Sequence, residues 1–179
     1  TQTITCAKEA TKGPELFRPS RSAQRAEVNT CLKNSWMANV FGGSFALAKG
    51  FCRRGMLAEG HDKAHCISSD VGCPKWRANF RDGVKRRRYS VVSYDFPCQS
   101  WSRARRHNRN GPGPIRGDTP ETLRGLPNVS AKDQAKVDEG NMLLDHTILL
   151  IKWCLKHNTV VIMENPLTSR VWATPEIKK

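Results

Sequence analysis

The sequence predicts an α/β fold with a doubly wound, mostly parallel sheet, and three observations predict it. Apolar, β-branched or aromatic runs stand at Trp36-Met37-Ala38-Asn39-Val40-Phe41, Tyr89-Ser90-Val91-Val92-Ser93-Tyr94 and Thr159-Val160-Val161-Ile162-Met163. Runs of this kind read as strands of a parallel sheet buried on both faces. Between them lie segments with helical periodicity, and strand alternating with helix is the pattern of a right-handed doubly wound sheet. Each run also leads into a loop carrying Gly, Pro, Cys or Glu, at the strand end where open α/β sheets bind their ligands.

Residues 1–33 are polar, with Gly13-Pro14, Pro19-Ser20 and several Arg and Lys. They show no sustained periodicity and read as a loosely ordered basic arm, leaving 34–179 as one domain. The first strand is Trp36 to Phe41. Gly42-Gly43 turns into a helix from Phe45 to Arg54, ended by Gly55. Met56 to Glu59 is expected as a short second strand and His65-Cys66-Ile67-Ser68 as a third, closed by Asp70. Pro74 opens a helix to about Asp82, where Gly83 is expected to break it. Arg103 to Val129 is a long connection rich in Arg, Gly and Pro, a length that marks a functional or disordered loop. Lys132 to His157 is the longest helix, with Val137, Met142, Leu144, Ile148, Ile151 and Leu155 as its apolar face.

The chain has 179 residues and a formal net charge of +14. That charge draws it to polyanions and makes nucleic acid the first partner to consider. Seven cysteines at scattered spacings do not read as a disulfide framework. With no hydrophobic leader, they favour a reducing, intracellular setting, cytoplasm or nucleus. No apolar stretch approaches a membrane span. His61, His65, Cys66 and Cys73 match the spacing of no common closed zinc site, so no metal is expected. Arg86-Arg87-Arg88 reads as solvent-facing. The chain starts at Thr1 and stops shortly after Glu164-Asn165-Pro166, which reads as a fragment incomplete at the C-terminus.

Three loops carry a resemblance. Pro97-Cys98-Gln99 with Trp101-Ser102 resembles the nucleophile loop of DNA (cytosine-5) methyltransferases. Glu164-Asn165-Pro166 resembles that family's Glu-Asn-Val/Pro loop, and Val40-Phe41-Gly42-Gly43-Ser44-Phe45 resembles its Phe-x-Gly-x-Gly cofactor loop. The three stand in the family's order and span Trp36 to Trp172. Phe45 occupies the place of the family's second glycine. No Gln-x-Arg-x-Arg segment follows Glu164, so the resemblance covers the cofactor and nucleophile half alone.

The resemblance implies a Rossmann-like methyltransferase fold, with 34–179 as a partial catalytic domain. It also implies S-adenosylmethionine as cofactor and DNA as partner, with RNA not excluded. Cys98 would add to cytosine C6, giving C5 the enamine character it needs to take a methyl group. That requires a thiolate, favoured by the positive field of Arg103, Arg105 and Arg106. Glu164 would donate a proton to N3, favoured by burial, with Pro97, Gln99 and Asn165 shaping the two turns. The base would have to leave its stack. Phe41, Gly42, Gly43 and Ser44 would take the methionine part of the cofactor. Glu59 or Asp62 would bind its ribose hydroxyls and Asp70 would lie near the adenine.

Arg103, Arg105, Arg106, Arg109 and Arg116 form a basic loop suited to phosphates around an extruded base. Two other readings stand beside this one. The chain could be a catalytically inactive nucleic-acid-binding domain of a viral or mobile-element polyprotein. It could also be a thiol enzyme of another class, for which His107 is the one nearby base.

Overall fold

A computed structural model describes residues 35–104 and 113–178. The basic arm, together with Arg105, Arg106, His107 and Arg109, lies outside the described residues. Four strands form one parallel sheet flanked by helices, as an α/β Rossmann-like fold requires. They are β1 (Trp36–Val40), β2 (Leu57–His61), β3 (Tyr89–Asp95) and β4 (Val160–Glu164), in the order β2-β1-β3-β4. Strand β1 is interior, with Ala38 in register with Glu59 on one side and Val92 on the other. Its four residues from Met37 to Val40 are all buried, as a both-sided strand demands.

The helices are α1 (Ala46–Cys52), α2 (Pro74–Lys85), α3 (Pro120–Leu123), α4 (Ala131–Lys156) and α5 (Pro175–Lys178). Contacts divide the chain into two compact units. Of the described residues, the first holds those up to Asp95 together with Leu150–Met163, and the second holds those from Phe96 to Leu149 together with those from Glu164 onward. In the first, Met37, Phe45, Ala48, Met56 and Ala58 form a core cluster. An aromatic stack runs beside it: Trp76 on Phe80 at 4.9 Å and Phe80 on Tyr89 at 5.4 Å between ring centroids. In the second, Trp101, Ile115, Leu123, Val137, Leu143, Leu144 and Val171 are buried.

Several expectations give way here. The third strand does not form; its place holds a 3₁₀ turn, Ile67–Ser69. Ile67 is the one large apolar residue of that run and is 88 % exposed, so the segment has nothing to bury in a sheet. Gly83 does not break α2, because Trp76, Phe80 and Val84 bury one stripe through to the helix end. Gly83 instead faces the Tyr89 ring, where a Cβ would stand 3.1 Å from the nearest ring atom. Strand β4 is not buried: it ends the sheet, and Val160 and Ile162 are exposed.

On α4 the buried positions are Val137, Leu143, Leu144, Thr147, Ile148, Leu150 and Cys154, while Met142 and Leu155 are exposed. The described end of the long connection is ordered: Ile115 and Arg116 are buried, and Thr119 and Thr122 form a capping box on α3. Cys52 is disulfide-bonded, against the expectation of reduced thiols, whereas Cys66, Cys73, Cys98 and Cys154 carry thiols outside any disulfide. Among the described residues no helix is long and apolar enough to cross a membrane.

Candidate active site

In the second unit the Cys98 loop and the Glu164 loop are tied backbone to backbone. Phe96 N–H donates to the Glu164 carbonyl at 3.2 Å. The Asn165 side-chain amide donates to the Phe96 carbonyl at 2.5 Å. Asn165 is buried, so it is a strut between the loops rather than a group open to solvent. The Cys98 carbonyl then accepts from Trp101 N–H at 3.0 Å and Ser102 N–H at 2.7 Å, closing a tight turn. Cys98 and Pro97 are half-buried and Gln99 is exposed. Glu164 is exposed too, so the burial expected around its carboxyl is not present in this structure.

The turn is held from two sides. Arg170 N–H donates to the Trp101 carbonyl at 3.0 Å, and Trp172 Nε1 donates to the Pro166 carbonyl at 2.9 Å. Arg170 Nε reaches Asp118 Oδ1 at 3.0 Å, and Arg103 reaches the same oxygen at 2.9 Å. Arg103 is thus paired, though still part-exposed. Arg116 is the clear correction among the basic residues: it is 0 % exposed and cannot meet a phosphate. The sequence reading did not single out Asp118 or Arg170, because pairs this far apart leave no local signal.

The glycine loop belongs to the first unit, at the carboxyl end of β1. Phe41 and Phe45 have φ of 59° and 56° and Gly43 has 51°, so three left-handed residues bend the chain sharply. Asp62 holds the loop from the end of β2: Oδ2 accepts Gly43 N–H at 3.0 Å and Oδ1 accepts Ala64 N–H at 2.8 Å. His65 Nε2 hydrogen-bonds the Gly43 carbonyl at 2.6 Å. Gly43 and Ser44 are exposed, and nothing lies within 4 Å of where a Gly43 side chain would begin.

Phe45 turns inward. Added side chains at Gly42 and Gly60 would collide with its ring, which is buried in the core. Asp70 is half-buried and accepts Gly72 N–H at 2.8 Å. Beneath the loop, buried Asn39 donates to Asp95 Oδ2 at 2.9 Å and Ser93 to Oδ1 at 2.8 Å. Asn39, inside the first apolar run, and Asp95, just past the second, are further polar residues near strand ends, and nothing in the sequence marks them as a pair.

Of the two ribose candidates, Asp62 is part-open and its oxygens keep lone pairs for two hydroxyls. Glu59 does not fit. It is buried, with Oε1 taken by Arg88 and Oε2 by the Tyr89 hydroxyl at 2.6 Å. Glu59, His61, Trp76, Arg88 and Tyr89 line a cavity of about 360 Å³. His61 Nε2 lies 3.5 Å from Glu59 Oε2, a distance that would stabilise an imidazolium. Burial opposes it and lowers the imidazole to about 4. Burial prevails, because that carboxylate is already satisfied by Arg88 and Tyr89. The neutral ring then accepts Trp76 Nε1–H on Nδ1 at 3.4 Å. Among the described residues no group of three or more His, Cys, Asp or Glu could hold a metal ion. No protein-family model, characterised protein or solved structure matches the chain significantly.

Proposed function

We propose that the chain is the cofactor-and-nucleophile part of an S-adenosylmethionine-dependent DNA (cytosine-5) methyltransferase. The observation that carries the reading is the pair of hydrogen bonds joining Phe96 to Glu164 and Asn165. They join the loop that carries Cys98 to the loop that carries Glu164, each following a strand end. Asp62 would hold the ribose hydroxyls and the open face of Gly43 and Ser44 the methionine part. S-adenosylmethionine supplies an electrophilic methyl group.

Cys98 adds as thiolate to C6 of an extruded cytosine, moving the ring's electrons to C5. Glu164 meets N3 and shares a proton with it as the ring becomes electron-rich. Its exposure in the free protein leaves room for the base, whose docking would shield the carboxyl from water. C5 would then take the methyl group as the methyl's bond to the donor's sulfonium sulfur breaks, leaving a neutral thioether. With the C5 proton passing to water and the N3 proton returning to Glu164, the C6–S bond breaks and the thiolate returns. The net charge of +14 favours a polyanionic substrate.

The test is transfer of radiolabelled methyl from S-adenosylmethionine to cytosine-containing DNA, with RNA as a parallel arm. Label in the DNA is the expected result, lost in Cys98→Ser and reduced on the order of a hundredfold in Glu164→Gln. DNA binding without label for the wild type would replace this reading with a non-catalytic binding domain.

A further inference from the structure

The guanidinium of Arg116 is fully enclosed, and all five of its N–H donors are used. Nε donates to the Ser100 carbonyl at 3.1 Å. Nη1 donates to the Leu123 carbonyl at 3.0 Å and to Asn141 Oδ1 at 2.8 Å. Nη2 donates to Ser100 Oγ at 3.1 Å and to the Val137 carbonyl at 3.0 Å. None of the five acceptors is a carboxylate. The group also lies over the Trp101 ring, 3.6 Å from its centroid. Gly140 on α4 makes the room: a Cβ there would collide with Ser100 Oγ and stand 2.8 Å from Arg116 Nη2.

We infer that Arg116 is a positioning residue for Cys98, bracing the nucleophile turn against α3 and α4. A buried cation whose hydrogen-bond acceptors are all neutral is tolerated when every donor is satisfied, and losing one acceptor leaves an unmet charged donor. That fixes the guanidinium, and the guanidinium fixes what it grips. Ser100 contributes two acceptors and Trp101 the stacking face, and Trp101 is itself bonded to the Cys98 carbonyl. Cys98 therefore sits in a turn whose far side is pinned by a planar five-donor fork. Lysine has neither the plane nor the five donors and cannot replace it. Burial lowers Arg116 to about 10, so it stays charged at neutral pH. The inference does not depend on the methyl-transfer reading, because it concerns where the thiol is held.

The experiment is alkylation of the full chain by iodoacetamide, resolved by peptide mass mapping at Cys98 and at buried Cys154 of the first unit. Arg116→Ala and Arg116→Lys should each speed alkylation at Cys98 by at least about tenfold, the rise in turn opening expected when the charged hydrogen bonds to Ser100 are lost, while Cys154 keeps its wild-type rate. Ethylguanidinium should restore the slow Cys98 rate in the alanine variant, and ethylammonium should not. Ser100→Ala removes one side-chain acceptor, retains the fold if the arginine variants do not, and should speed Cys98 by roughly threefold. A Cys98 rate unchanged in folded variants would overturn the inference. So would Cys98 and Cys154 rising together, or equal restoration by the two cations.

Discussion

Phe45 decides what the glycine loop is built around. A glycine there would suit its φ of 56°, yet the protein uses a phenylalanine whose ring fills the space left by Gly42 and Gly60. The ring belongs to the core with Met37, Ala48, Met56 and Ala58 and does not crowd the open side of the loop. Phe45→Gly should therefore destabilise the protein by about 3 kcal/mol, the loss from an emptied aromatic site less the relief of a left-handed residue. Urea denaturation measures this, and binding of S-adenosylmethionine should weaken rather than tighten. His61 gives a second residue-scale outcome. Its folded value of about 4 lies below the ordinary 6.5, so the unfolded chain binds the extra proton between those values. Stability attributable to His61 is whole above pH 6.5 and is lost as pH falls towards 4, by up to about 3 kcal/mol. Denaturation midpoints of wild type and His61→Gln across that window should converge as the pH drops.

Two glycines show how elements carry information that their own sequence hides. Gly50 in α1 has nothing within 4 Å of its missing side chain, so Gly50→Ala should stabilise by roughly 0.5–1 kcal/mol through helix propensity. Gly140 in α4 has the same local propensity, but Ser100 and Arg116 occupy its surface. Gly140→Ala should instead destabilise by about 1–3 kcal/mol. Thermal melts of the two variants should move in opposite directions. The same contrast explains what could be read in advance. Helix α4 was legible to within one residue at each end, because its periodicity is long. Strands β1 and β3 were legible because each is an apolar run that ends in a loop. The segment at His65 was misread, since a short stretch with one large apolar side chain carries too little pattern to separate strand from turn. Gly83 was misread as a breaker because the need for it lies in Tyr89, across the fold rather than along the chain.

At the scale of the whole molecule, the sequence pointed to a basic α/β protein with chemistry at strand ends, and the parallel sheet agrees with the architecture. The candidate site was legible as motifs: Cys98 and Glu164 stand where two strands finish. Its supports were not. Asn165 as a strut, Asp118 shared by Arg103 and Arg170, and Arg116 as a brace depend on partners between 7 and 69 residues away, with no fixed spacing that one sequence could show. Arg116 also shows the limit of charge counting, since an arginine in a basic run was expected to reach for phosphate and is instead sealed inside. The central claim is that Cys98 forms a bond to cytosine C6. It is tested most directly by incubating the protein with S-adenosylmethionine and an oligonucleotide containing 5-fluorocytosine, whose fluorine cannot leave as a proton does. The account predicts a covalent protein–DNA adduct that maps to Cys98 by mass spectrometry and disappears in Cys98→Ser. Absence of any adduct, with both the oligonucleotide and the methyl donor shown to be bound, would contradict it.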